Sequence, residues 1–200
     1  MALVDAGYRF LYVDVGSYGR ISDGGVFRDC SLSAALESSM LSIPPDCELP
    51  WTSAVAPFVI VADDAFPLKR YIMKPYGSKN LSSKQRIYNY RLSRARRVVE
   101  NAFGIMCKRF RVFGKAIPLS PAKVQHVVMA ACCLHNFLLR DFGSSSEYLQ
   151  DDRDPSCDLA SVGKQGSNRP ADDALAIRDA FCNYFNSDMG AVSWQTAAVS

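Results

Sequence analysis

Two carboxylates stand out for what surrounds them. Glu100 is the only acidic residue between Ala65 and Arg140, a stretch with sixteen Lys and Arg residues. Ten of these lie between Lys84 and Lys115: Lys84, Arg86, Arg91, Arg94, Arg96, Arg97, Lys108, Arg109, Arg111 and Lys115. Asp63 follows the apolar run of "PFVIVADDAFP", where a strand should end. Two carboxylates from separate elements in a cationic field fit one chemistry well. Hard divalent cations such as Mg²⁺ or Mn²⁺ take carboxylate oxygens. A pair of such ions about 4 Å apart can activate a water or 3′-hydroxyl and stabilise the leaving oxygen in phosphodiester cleavage. The cations would then hold phosphates, largely without regard to base sequence. Plainer readings stand beside this one. Asp63 also fits a turn or helix-capping aspartate. Glu100 also fits a surface ion pair with Arg96 or Arg97 one turn earlier, an interaction of roughly a few tenths of a kcal/mol.

The elements that must position these groups follow from the patterning. The chain has 200 residues, 48% of them hydrophobic, which is enough for about one core. The net charge of +3 hides an uneven distribution, with acids at both ends and a basic middle. Such a stripe points to an anionic partner, most often nucleic acid. Seven cysteines, an odd number with no C-x-x-C, read as free thiols in a reducing compartment. There is no signal-peptide pattern, and no apolar run approaches 18 residues, so no membrane-spanning helix is expected.

Ala2 to Val4 and Tyr8 to Val15 read as a hairpin turning at Ala6-Gly7. "GSYGRISDGGVFRDCSL" reads as loop, with Asp29 or Ser31 capping a short helix over Leu32 to Met40. "LSIPPDCELPWTS" is a Pro-rich connection. Phe58 to Ala62 lacks polar alternation and is expected as a strand buried on both faces. From Ser82 to about Phe110, Ile87, Leu92, Ala95, Val99, Ala102, Met106 and Phe110 form a helical stripe. Ser120-Pro121 opens another helix, apolar nearly all round and so expected to be buried. Residues 141–171, polar, acidic and rich in Gly, Ser and Pro, read as a disordered linker. A short helix over 172–186 follows, with apolar residues to dock or to bind a partner.

Other chemistry is less well supported. Adjacent Cys132 and Cys133 with His135 lack structural zinc spacing, so His135 reads as a core histidine, and His126 likewise. Cys107 beside Lys108 and Arg109 has no histidine near it in sequence to form a pair. "GSYGRISDGG" is neither a Walker nor a Rossmann pattern.

Four stretches together carry a resemblance: "VDVGSYGRISDGGVF", "VIVADDAFPLKRYIMKPY", "YNYRLSRARRVVENAFGIMCKRFRVF" and "VVMAACCLHNFL". In this order they resemble the Harbinger (PIF-type) transposases and their domesticated nuclease-like relatives, over roughly residues 1 to 140. The resemblance implies an α/β, ribonuclease-H-like core, a mixed sheet flanked by helices, with a DDE metal site. It implies Asp63 and Glu100 as catalytic metal ligands, the latter opening "ENAFG", and Asp23 in "RISDGGVF" as a further ligand. It favours Asp63 over Asp64, since the family places an aromatic three residues on, here Phe66. The 36 residues between Asp63 and Glu100 suit such a site. It also implies DNA as substrate, a nuclear location with cytoplasm as an alternative, a Myb-like DNA-binding partner, and a possible homo-oligomer.

One departure bears on activity. The family's first triad aspartate sits in an Asp-Gly-x-His type motif on an earlier strand, and the 22 residues before Asp23 contain no such motif. Asp5 aligns instead with a turn and reads as structural. The chain is therefore expected to be an N-terminally truncated form lacking the first sheet strand, and weak or inactive as a metal-dependent endonuclease. The alternative is a domesticated, non-catalytic DNA-binding or partner-binding protein. Arg94, Arg96, Arg97, Lys108, Arg109 and Arg111 are the DNA-contact candidates, although one helical stripe cannot hold all six on one face.

Overall fold

The computed structural model describes residues 1–17, 20–142 and 171–199. The expected linker over 141–171 lies almost wholly outside them. The chain divides into two units. The first comprises the described residues within Met1–Ile21 and Arg97–Val162, the second those within Ser22–Arg96 and Gly163–Ser200.

The first unit opens with the expected hairpin. Strands β1 (Ala2–Val4) and β2 (Phe10–Val13) pair antiparallel, with a register shift between Leu3 and Val4. Asp5 builds the turn: its Oδ1 accepts from the Gly7 and Arg9 amides at 2.8 and 3.0 Å, and its Oδ2 from Arg9 Nε at 2.8 Å. Asp5 is thus structural. The long helix α3 (Ser83–Arg109) contributes Ala102 and Met106, one turn apart, to a core with Phe10, Ala131 and Cys132. A 3₁₀ turn (Arg111–Gly114) then leads to α4 (Pro121–Phe142), which begins at the proline as the sequence indicates.

Helix α4 clamps the hairpin with two adjacent polar side chains. Asn136 Oδ1 accepts from the Phe10 amide and its Nδ2 donates to the Phe10 carbonyl, both at 2.8 Å. His135 is fully buried, lies 5.1 Å from the Phe10 ring, and bonds the Tyr8 carbonyl through Nε2 at 2.8 Å. Burial lowers its pKa, and the bond to Tyr8 only partly offsets that. A folded pKa below the unfolded value near 6.5 fixes the sign. The contribution to stability is complete above about pH 6.5 and is lost as pH falls through the lower folded pKa. Denaturant midpoints measured from pH 8 down to pH 5 should therefore drop in acid. His135→Gln, which keeps a donor for Tyr8, should flatten that drop; an unchanged pH profile would refute the assignment.

Helix α4 departs from expectation in one respect. It is not buried all round: Met129, Leu134 and Phe137 are 42%, 50% and 50% exposed. Its apolar inner face is occupied by the hairpin and α3, and among the described residues its outer face stays open. By length and composition, Pro121–Arg140 is long and apolar enough to cross a membrane, which corrects the expectation that no such stretch exists. His135 and Asn136, buried or half-buried against the hairpin, nevertheless give α4 the bonding of a core helix.

The second unit holds the remaining strands. β3 (Cys47–Glu48) and β4 (Val55–Ala56) pair antiparallel; β5 (Ile60–Val61) and β6 (Ile72–Met73) pair parallel. The described residues are thus α/β, with three two-stranded sheets rather than one mixed sheet. β5 is shorter than expected and not buried on both faces. Ile60 and Val61 are half-buried, and Phe58 is 50% exposed.

The Gly-rich stretch is helical in its second half: α1 (Asp23–Asp29) is capped by Ser22, whose Oγ accepts from the Gly25 amide. Helix α2 (Ser31–Glu37) is capped by Cys30 rather than Asp29 or Ser31; the thiol accepts from the Ser33 amide. The core gathers Leu68, Met73, Tyr88, Leu92, Ala174 and Cys182. Ala95, placed in the apolar stripe of α3, is exposed, and Tyr88 takes a core position one turn before Leu92. Helix α5 (Asp172–Phe185) packs Leu175, Ile177, Phe181 and Phe185 on this core. Its apolar face is therefore docked within its own unit.

Candidate active site and nucleic-acid interface

Asp63 sits just past β5, as the sequence requires of a strand-end acid. Its Oδ1 accepts from the Ala65 amide at 2.9 Å, closing a tight turn that the Phe66 amide completes on the Asp63 carbonyl at 3.3 Å. The turn thus uses one carboxylate oxygen and fixes the direction of the other. Asp64 is occupied differently. Lys74 Nζ lies 3.2 Å from its carboxylate and 2.7 Å from its carbonyl oxygen. Asp63, by contrast, forms no ion pair among the described residues.

Asp23 is the first residue of α1 and is half-buried. The helix start is pressed onto the Asp63 turn: a Cβ on Gly24 would come within 2.3 Å of the Ala65 carbonyl oxygen. Only glycine permits that approach. Phe27 and Phe66 pack at 5.7 Å and hold the two segments together. Asp23 and Asp63 are therefore carried by adjoining segments of the second unit. The sequence signal for this was present in "SDGG" but was masked by the glycines, which read as loop.

Glu100 lies exposed on α3 and belongs to the first unit. Among the described residues, no group of three or more His, Cys, Asp or Glu is gathered to hold a metal ion. Mg²⁺ demands near-octahedral oxygen ligation. Two carboxylates in one unit, one of them already bonded to its own turn, do not complete that set. The donor set thus does not fit a metal pair by itself. The zinc alternative finds no support among the described residues either: Cys132 Sγ points at Met106 Sδ at 3.8 Å, and His135 bonds the Tyr8 carbonyl.

The six DNA-contact candidates differ in their surroundings. Arg97, Lys108, Arg109 and Arg111 are exposed in the first unit, and Arg96 in the second is half-buried. Arg97 and Lys108 are eleven residues, about three turns, apart and so share one side of α3. Arg109, the next residue, lies about 100° round the helix from Lys108, and Arg111 lies in the following 3₁₀ turn. Arg94, in the second unit, lies 4.5 Å over the ring of Trp194. Earlier cations are less available. Lys69 pairs with Glu37 at 3.2 Å, Arg70 with Asp46 at 2.5 Å, and Lys74 with Asp64.

Two side chains that sequence reasoning overlooked do positioning work. Asn89 accepts from the Tyr76 amide at 2.8 Å and donates to its carbonyl at 3.0 Å, as Asn136 does for Phe10. An amide on an otherwise apolar helix face was the available signal, because a buried amide needs partners.

Comparison with known proteins agrees with these motifs. Residues 1–136 match the family model described as DDE superfamily endonuclease. The "Putative nuclease HARBI1" of Homo sapiens is 29% identical over 124 residues, covering 60% of this chain and 31% of that protein. "Protein ALP1-like" of Arabidopsis thaliana is 26% identical over 167 residues, covering 80% of this chain and 41% of that protein. The chain thus spans less than half the length of these curated relatives. No solved structure matches.

Proposed function

The chain belongs to the DDE superfamily endonuclease family, and from that premise we propose that it is a DNA-binding part of a divalent-metal-dependent nuclease of ribonuclease-H-like type. Asp63 and Glu100 serve as its catalytic carboxylates and Asp23 as a further ligand, for Mg²⁺ or Mn²⁺. DNA is the substrate, which places the working protein in the nucleus. The 200-residue chain on its own binds DNA and cuts it poorly or not at all. The observation that carries this reading is the packing of the α1 start on the Asp63 turn, with Gly24 against Ala65. It brings the segments that carry Asp23 and Asp63 into contact, which supports reading both as acids of one site. The same carboxylates are too few to hold the ions without further donors.

That shortfall favours a second reading, a non-catalytic DNA-binding protein. One experiment separates the two. Supercoiled plasmid is incubated with the chain in Mg²⁺ or Mn²⁺, and Mn²⁺ binding is followed by calorimetry. The nuclease reading expects weak Mn²⁺ binding that Asp63→Asn abolishes, with little or no nicking. Asp63→Asn and Glu100→Gln should leave DNA affinity unchanged or raise it, since each removes a negative charge near phosphate. Absence of any Asp63-dependent Mn²⁺ binding supports the second reading. Failure to bind DNA at all would overturn both.

A further inference from the structure

Within the second unit, two guanidiniums of α3 meet the C-terminal segment. Arg91 donates through Nη1 to the Gly190 carbonyl at 3.1 Å and to Gln195 Oε1 at 2.9 Å, and lies 4.5 Å over the Phe185 ring. Arg94, on the next turn, lies 4.5 Å over the ring of Trp194, which is also 5.9 Å from Arg91. Tyr90 packs edge-on against the same indole at 5.8 Å, and its hydroxyl accepts from Arg94 at 3.4 Å. Among the described residues, no carboxylate forms an ion pair with Arg91 or Arg94. Burial lowers the pKa of Arg91, the response of a guanidinium desolvated without an acid to balance it.

Trp194 is not alone in tying the segment down. Gln195 is 4% exposed, accepts from Arg91 and the Val192 amide, and donates to the Phe185 carbonyl at 2.8 Å. Gly190 packs so closely that a Cβ there would come within 2.1 Å of the Tyr184 carbonyl oxygen. With the segment anchored on both sides, Trp194 still leaves 42% of its surface to solvent. A part-exposed indole beside two guanidiniums that form no ion pair among the described residues has the makings of a nucleotide contact: exposed aromatic surface for a base and positive charge for its phosphate.

We propose that Trp194, Arg91 and Arg94 form a subsite for one unpaired nucleotide of single-stranded DNA, with Tyr90 holding the indole in place. Duplex bases are already stacked on their neighbours, so only an opened strand or an end offers one. Trp194 lies beyond the residues matched by the family model. The subsite rests on the reading that the cations of α3 hold DNA, and adds to it a preference for unpaired strands.

The test uses the full chain with Trp51→Phe, which leaves Trp194 as the sole tryptophan. Its fluorescence is titrated with an oligothymidylate single strand, a blunt duplex and inorganic phosphate. Saturable quenching by the single strand, with little by duplex or phosphate, is expected. In the chain retaining Trp51, Trp194→Ala should weaken single-strand binding about tenfold, the scale of one base stack, and leave duplex binding unchanged. Trp194→Phe should recover part of the loss. Silence of Trp194, equal quenching by phosphate, or equal loss on both DNA forms would each overturn the subsite. If duplex still binds in those cases, only the subsite falls; if neither DNA form binds, the reading of the α3 cations falls with it.

Discussion

Alanine at Arg97, Lys108, Arg109 and Arg111 together should remove most of the salt dependence of duplex-DNA binding. Each phosphate neutralised by a cation releases condensed counter-ions, so the slope of log K against log salt is roughly −0.9 per contact. Four contacts give a slope of about −3.6, and a fourfold rise in salt then weakens binding about 150-fold. The quadruple variant should lose that share of the slope, measured by fluorescence anisotropy at several salt concentrations. The counter-test uses two ion-paired cations of the second unit. Lys69 and Arg70 hold Glu37 and Asp46, so each has little free charge to exchange for counter-ions. Replacing both should change the slope by less than about one. If the paired and exposed sets behave alike, binding follows net charge and α3 is no track. If the quadruple variant keeps its slope, the DNA surface lies elsewhere.

That contrast marks what the sequence could and could not reveal. The density of Lys and Arg was plain, and so was the helix carrying eight of the ten between Lys84 and Lys115, because a 27-residue amphipathic period is hard to mistake. The hairpin and the start of α4 were legible for similar local reasons: a Gly turn between β-favouring runs, and Ser-Pro at a helix start. Which cations are already paired was not legible. Lys69 and Glu37 are 32 residues apart, and only the fold decides that they meet. Burial misled for a related reason. An unbroken apolar run predicts a strand covered on both faces, but cover must come from other elements, and the described residues leave Phe58 50% exposed. The outer face of α4 repeats the error, with Met129, Leu134 and Phe137 apolar yet open. For the acids, the strand end and the cationic field pointed to Asp63 and Glu100, and the family resemblance added Asp23. That Asp23 and Asp63 ride on touching segments depends on one glycine with no room for a Cβ, a steric fact that no spacing rule contains.

Tyr88 should separate packing from polarity within the second unit. Its side chain is fully buried on α3, beside Tyr76 at 5.2 Å and Phe185 at 6.0 Å. It therefore joins the β6 region, α3 and α5 in one core. Tyr88→Ala removes a ring that these neighbours cannot collapse to replace, and should cost about 3–5 kcal/mol. That is a large part of the stability of an ordinary domain, so the second unit should melt far earlier. The hydroxyl contributes with the opposite sign. It is buried with no hydrogen-bond partner among the described residues, and burial pushes its pKa well above the ordinary tyrosine value. A buried, unpaired hydroxyl costs roughly 1–3 kcal/mol of desolvation. Tyr88→Phe keeps the ring and discards that penalty, so it should be neutral or raise stability by about 1 kcal/mol. Urea midpoints of the two variants and the parent protein decide the matter. A marked loss in Tyr88→Phe would mean the hydroxyl has a partner, such as an ordered water, and the core is more polar than its residues indicate. Near-equal loss in both variants would make the hydroxyl, not the ring, the element joining α3 to α5.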